Sequence, residues 1–303
     1  MTNFKVFASL VIATAVVSTL TAETHCPGNV ASLPFLIANR HLIIVPVSIN
    51  HAGPYDFLLD TGAQRTTLDP ALGAELHLEM KGQAEVEGIG SRQSASFAYL
   101  DLLQAGSHAV DHQRVNVSDL SGLQSAGLKI RGILGEDFLE QFDLLIDYAH
   151  NLLCLDNTGA MRANVKGTHI ALVAGPEAPE GSALPKLLIV EARLSEATRP
   201  VQLMLDSGAN IPFLYRPSDY MAPGPKPDAG SLGHGIGGAQ QSFLALPPQK
   251  VKIGSVEIAS LSFRTTAVAP IHHRDTDVDG LLAMGLFRRI FIDHADQFVV
   301  LEP

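Results

Sequence analysis

The chain has 303 residues, 46% hydrophobic and 17% charged, with 26 glycines, 18 prolines and no tryptophan. That length suggests about two domains, each half being large enough to bury a core of its own. A formal charge of −10 with no lysine or arginine run excludes nucleic acid or an anionic membrane surface as partner, because both are bound through basic patches.

In chain order, residues 1–22 read as a secretory signal peptide. Lys5 supplies a positive start, residues 6–20 are apolar and uncharged, and Ala22 offers a cleavage edge. The apolar stretch is shorter than the roughly 20 residues of a spanning helix, so cleavage and export to the periplasm or medium are expected, without stable membrane insertion. Loss of Lys5 leaves 20 basic against 31 acidic residues, a mature charge of −11. Export makes Cys26 and Cys154 candidates for a disulfide. Cys154 lies in the apolar run Leu152-Leu153-Cys154-Leu155, where a free buried thiol is the alternative. Neither cysteine has a His or Cys at ligand spacing, which speaks against zinc.

Short branched or apolar runs at residues 43–49, 55–59, 144–147, 187–190, 251–253 and 298–301 predict strands. Residues 70–78 and 135–142 predict short helices. Gly- and Pro-rich stretches at 174–185 and 221–228 predict exposed connections. The expected division is a signal peptide (1–22), a first domain (23–165) and a second domain (166–303).

Two tripeptides carry the chemistry. Asp60-Thr61-Gly62 follows Phe57-Leu58-Leu59, and Asp206-Ser207-Gly208 follows Leu203-Met204-Leu205; each precedes an alanine. The flanking text repeats as well. Leu42-Ile43-Ile44-Val45 and Leu188-Ile189-Val190 both begin 18 residues before the aspartate, and Asp147 and Asp293 both fall 87 after it. Gly88-Ile89-Gly90 and Gly235-Ile236-Gly237 begin 28 and 29 residues after it, and Gly132-Ile133-Leu134 and Gly280-Leu281-Leu282 begin 72 and 74 after it. A repeat this long means duplicated domains rather than a solenoid, whose repeats run roughly 20–50 residues.

On these motifs residues 33–303 resemble the retropepsin-like and pepsin-like aspartic proteases, specifically bacterial exported proteins with two aspartyl-protease domains in tandem. The resemblance implies an all-β fold with few short helices: two homologous retropepsin-like β-barrel domains, bilobal, related by a pseudo-two-fold axis. It implies an aspartic endopeptidase acting on a peptide or protein substrate as a monomer. Asp60 and Asp206 would form the catalytic dyad in the interdomain cleft, with no metal or organic cofactor. Thr61 and Ser207 would bridge the halves, and Gly62 and Gly208 would leave room beside the carboxylates. Gly88, Ile89, Gly90, Gly235, Ile236 and Gly237 would form substrate flaps.

Three features depart from the family pattern. Ala283 stands where the first half has Gly135, so a methyl must fit behind Asp206. Gln64 and Asn210 stand where viral relatives carry aspartate. No tyrosine lies near Gly88. Ala283 keeps open a catalytically weak or inactive peptide-binding protein, and an interaction scaffold is a further alternative. Asp275, Asp277 and Asp279 lack the glycine and glutamate spacing of a calcium loop and predict a solvated acidic loop. The histidines form no His-Glu-x-x-His, and Ser207 lacks the surroundings of a hydrolase nucleophile. Asn116-Val117-Ser118 fits a glycosylation acceptor.

Overall fold

The computed structural model describes residues 25–88, 91–173, 184–221, 228–234, 240–266 and 278–303. The expected signal segment and most of both expected connections lie outside the described residues. Among the described residues, no helix is long and apolar enough to cross a membrane.

The fold is mostly β. The apolar runs become buried strands, in several cases a few residues longer than the sequence predicts: Leu42–Ile49, Ala52–Leu59, Asp143–Asp147, Ile189–Leu194, Gln249–Ile253 and Phe298–Glu302. The predicted helices shorten to Pro70–Glu75 and Glu136–Leu139. Asp69 caps the first, its carboxylate accepting from the Ala71 N–H at 2.9 Å. That helix stops because His77 takes a left-handed conformation, φ 52°, which a right-handed helix cannot continue through.

Two large sheets share one plan. In the first, Ala52–Leu59 pairs in parallel with Gly132–Leu134, and the order continues through Thr67–Leu68, His108–Val117, Ser91–Ala105 and Gly82–Gly88. In the second, Val201–Asp206 pairs in parallel with Gly280–Ala283, followed by Phe213–Leu214, Arg264–Thr266, Gln240–Ala245 and Asp228–His234. Leu42–Ile49 also pairs with Ser91–Ala105, curling the first sheet towards a barrel.

A third, five-stranded sheet takes strands from both halves. Leu152–Asp156 and Asp143–Asp147 lie beside Arg289–Asp293, Phe298–Glu302 and Ile170–Ala171. The hydrophobic core is therefore continuous: Phe57, Leu59, Leu134 and Ile146 of the first half share a cluster with Leu203, Leu205, Leu282 and Ile290 of the second.

Two sequence expectations are corrected by burial. Asn116 and Ser118 are 7% and 3% exposed, because both sit where His108–Val117 runs against its neighbours, so this tripeptide presents no acceptor to a sugar transferase. Asp279 is not a solvated loop residue. It is buried, and Arg199 grips it with two hydrogen bonds of 2.8 and 2.6 Å; Asp275 and Asp277 lie outside the described residues.

If the shared sheet joins the halves, its central contact must matter to stability. Ile290 is fully buried and pairs across from Ile146. Ile290→Ala should cost about 2–5 kcal/mol in urea unfolding of the whole chain. A loss below about 1 kcal/mol would show that this sheet is not what joins them.

Candidate active site

Both aspartate turns form where a buried strand runs out beside a parallel neighbour. The Asp60 N–H donates to the Leu134 carbonyl at 3.0 Å, continuing the ladder of Ala52–Leu59 with Gly132–Leu134. The chain then turns, and the Asp60 carboxylate accepts from the Gly62 N–H at 2.9 Å. The second turn repeats this: Asp206 Oδ1 accepts from the Gly208 N–H at 2.8 Å. A carboxylate that captures the amide two residues on closes the turn and fixes its own direction.

The two turns hold each other. Thr61 Oγ1 donates to the Leu205 carbonyl at 2.9 Å and accepts from the Ser207 N–H at 3.1 Å. Ser207 Oγ returns the same pair of bonds, donating to the Leu59 carbonyl at 2.9 Å and accepting from the Thr61 N–H at 3.1 Å. Both hydroxyl-bearing residues are buried.

Each glycine faces the other half's carboxyl group. A methyl on Gly62 would lie 2.7 Å from the Asp206 Cγ, and one on Gly208 would lie 2.4 Å from the Asp60 Cγ. Only a hydrogen fits there. Asp60 and Asp206 are consequently brought together, each carboxyl group against the other half's glycine, and each acts on the other's ionisation.

Burial raises both carboxyl groups. For Asp60, the Gly62 amide and the Asp206 side chain work against that rise. Asp206 is pushed well above the ordinary range, by burial first and then by the charge of Asp60. Two carboxylates this close cannot both ionise cheaply, so the pair retains one proton. Tyr148 and Tyr215 respond to the same charge: their phenols are raised by burial, with Asp206 adding to the effect.

The halves differ behind the turns. A Cβ on Gly135 would lie 2.6 Å from the Arg65 carbonyl carbon and 2.8 Å from the Ala63 oxygen. Ala283, opposite Asp206 in the parallel register, keeps its methyl in a buried place. In the first half, Asp137 Oδ1 accepts from both the N–H and the hydroxyl of Thr66 at 2.8 Å; Pro212, the sixth residue after Asp206 as Thr66 is after Asp60, has neither donor. Gln64 donates to the Pro185 carbonyl at 2.8 Å, tying the first turn to the start of the second half.

Gly88 ends its strand paired with Ser91. Ile89, Gly90, Gly235, Ile236 and Gly237 lie outside the described residues. Cys26 and Cys154 are joined in a disulfide, remote in sequence from either turn. No group of three or more metal-ligating side chains occurs among the described residues. Sequence reading missed Glu136 and His294, a buried ion pair between the halves directly behind the Asp60 turn. The two are 158 residues apart with no motif linking them.

The aspartyl protease family model matches residues 45–138, which include the Asp60 turn and Gly135. No curated protein matches the chain by sequence. Among solved structures, a retropepsin-like aspartic protease from Rickettsia conorii is 20% identical, covering 42% of this chain and 90% of its own, with a TM-score of 0.31. The aspartic proteinase from Irpex lacteus covers 90% of this chain and 96% of its own, at 11% identity and a TM-score of 0.50. The chain thus resembles the aspartyl proteases by sequence over residues 45–138 and shares the fold of the Irpex lacteus aspartic proteinase over nine-tenths of its length.

Proposed function

We propose that this protein is an aspartic endopeptidase whose Asp60/Asp206 dyad, in the cleft between the lobes, activates water against a peptide bond. The observation that carries the reading is the pair of carboxyl groups, each set against the other half's glycine, on two reciprocally locked turns. The ionised member takes a proton from water as the oxygen attacks the carbonyl carbon. The protonated member donates to the carbonyl oxygen, and the proton gained from water then passes to the leaving nitrogen. Atoms balance without a cofactor: one water is consumed and one C–N bond breaks.

As part of the same proposal, residues 1–22 direct export and are removed, and the mature chain works as a monomer in the periplasm or medium. The disulfide suits such an oxidising compartment. Ala283 favours a second reading, a peptide-binding protein with weak turnover, since its methyl packs where the first half has a glycine.

Three outcomes test the first reading. Asp60→Asn and Asp206→Asn should each abolish hydrolysis of a peptide library as fully as the double change, because a water-activating pair has no half-function. A single variant keeping more than about a tenth of wild-type turnover, a barrier change of only ~1.4 kcal/mol, would defeat it. Peptide affinity without turnover in the wild type would select the second reading.

Stability should also report the retained proton. Because Asp206 is raised in the folded state, the native protein binds more protons than the unfolded chain above the ordinary carboxyl value of about 4, and loses stability as pH rises through the folded value. The melting temperature of Asp206→Asn, relative to wild type, should therefore climb from about pH 4 upward and then level off. A pH-independent difference would mean that Asp206 is not raised.

Ala63 and Ala209 carry no hydroxyl to donate to the dyad. Placing serine at both positions should add donors to the charged form and move the whole bell-shaped activity profile to lower pH. An unmoved profile, or a wild-type optimum already below about pH 3, would refute this.

A further inference from the structure

The Asp60 turn is backed by a charge pair that spans both lobes. Glu136 follows Gly135; its N–H donates to the Ala63 carbonyl at 2.8 Å, so its backbone is bonded to the turn itself. Its side chain is 1% exposed, and one carboxylate oxygen bonds His294 of the other lobe while the second has no hydrogen-bond partner among the described residues. The opposite ring nitrogen of His294 bonds the Phe142 carbonyl. A buried carboxylate with a single hydrogen-bonding partner depends on that partner's charge.

Other charged groups surround the pair. Asp137, Glu140 and Asp143 of the first lobe are acidic neighbours, and Asp293 and Asp296 flank His294 in its own lobe. Arg162 is taken up by Asp143, Asp293 and Asp296, and Arg65 acts on Asp137 and Glu140. Asp156 is held by Thr158 and the Met161 amide. His294 also lines a pocket of about 160 Å³ with Glu140, Asp143, Asp156 and Arg162. Glu136 is the dyad-side end of the pair: its charge acts on Asp60.

We propose that Glu136 and His294 are positioning residues that hold the Asp60 turn across the lobe interface and set the charge Asp60 feels from behind. With His294 protonated, the carboxylate of Glu136 is neutralised and Asp60 ionises more easily. With the imidazole neutral, the uncompensated Glu136 charge opposes that ionisation. Burial disfavours the imidazolium, but Glu136, the Phe142 carbonyl and Asp143 outweigh it and raise His294 above its ordinary value. The contribution of the protonated His294 ring is therefore complete below about pH 6.5 and is lost as pH rises through the raised value. The consequence for turnover rests on the peptidase reading; the effect on Asp60 does not.

The test is a carbon NMR titration of aspartate carboxyl groups in the full chain, beside peptide hydrolysis. Glu136→Gln should move the dyad's apparent values down and His294→Gln should move them up, each by about half a pH unit, with the double variant between. Shifts in the same direction, as loss of packing alone would give, or no shifts, would overturn the proposal. The wild-type imidazole provides a check free of any folding defect: a His294 that titrates at or below the ordinary value of about 6.5 would overturn it too. Opposed carboxyl shifts without hydrolysis in any variant would uphold the pair and reject the peptidase reading. Hydrolysis that depends on both aspartates, with unmoved carboxyl groups, would do the reverse.

Discussion

Everything at the centre of this molecule depends on four hydrogen bonds made by two hydroxyl groups. Thr61 and Ser207 each serve a carbonyl and an amide of the other half. All four backbone groups belong to buried residues, so separating the turns would leave them unsatisfied, at about 1–3 kcal/mol for each such group. The reciprocal arrangement also sets position. Pulling one turn away from the other strains both hydroxyls at once, which is why two glycine backbones can be held against two carboxyl groups.

The two acids share a site but not a setting. Behind Asp60, Gly135 passes close to the turn and the Thr66–Asp137 pair ties the following loop down. Behind Asp206 the corresponding positions hold Ala283 and Pro212. Glu136 is among the charges acting on Asp60, while the charge of Asp206 reaches Tyr148 and Tyr215. Both acids are raised, and the proton they retain belongs to the pair as a unit.

Much of the fold was legible because burial writes itself into local composition. The runs that became Leu42–Ile49 and Asp143–Asp147 are almost wholly apolar, and few short helices were expected or found. The long hairpin strands Ser91–Ala105 and His108–Val117 escaped notice because one face is wet: Tyr99 is 54% exposed, and polar residues interrupt every apolar run. Asp60 and Asp206 could be singled out because their turns demand the same three residue types, which the sequence repeats. The bond between Glu136 and His294 left no such trace, since an ion pair fixes only two side chains and asks nothing of their neighbours in the chain. The parallel pairing that places Gly135 and Ala283 is likewise a long-range matter, decided by which strand ends are brought side by side.

The strand pairing in the shared sheet has a consequence for how such a chain could arise. Thr61 and Ser207 exchange bonds across an offset of 146 residues. In the shared sheet Leu145 pairs with Phe291, again 146 apart, and the pairs on either side, Ile146 with Ile290 and Leu144 with Ile292, are mirror positions about it. Both pairings are therefore reciprocal about the same 146-residue offset. An ancestor consisting of a single half could have met a second copy of itself through the same strand and the same hydroxyl, as an isologous dimer. Duplication then needs only a connection between the end of one copy and the start of the next. Once the copies are covalently joined they are free to differ, and a residue such as His294 can be acquired on one side alone.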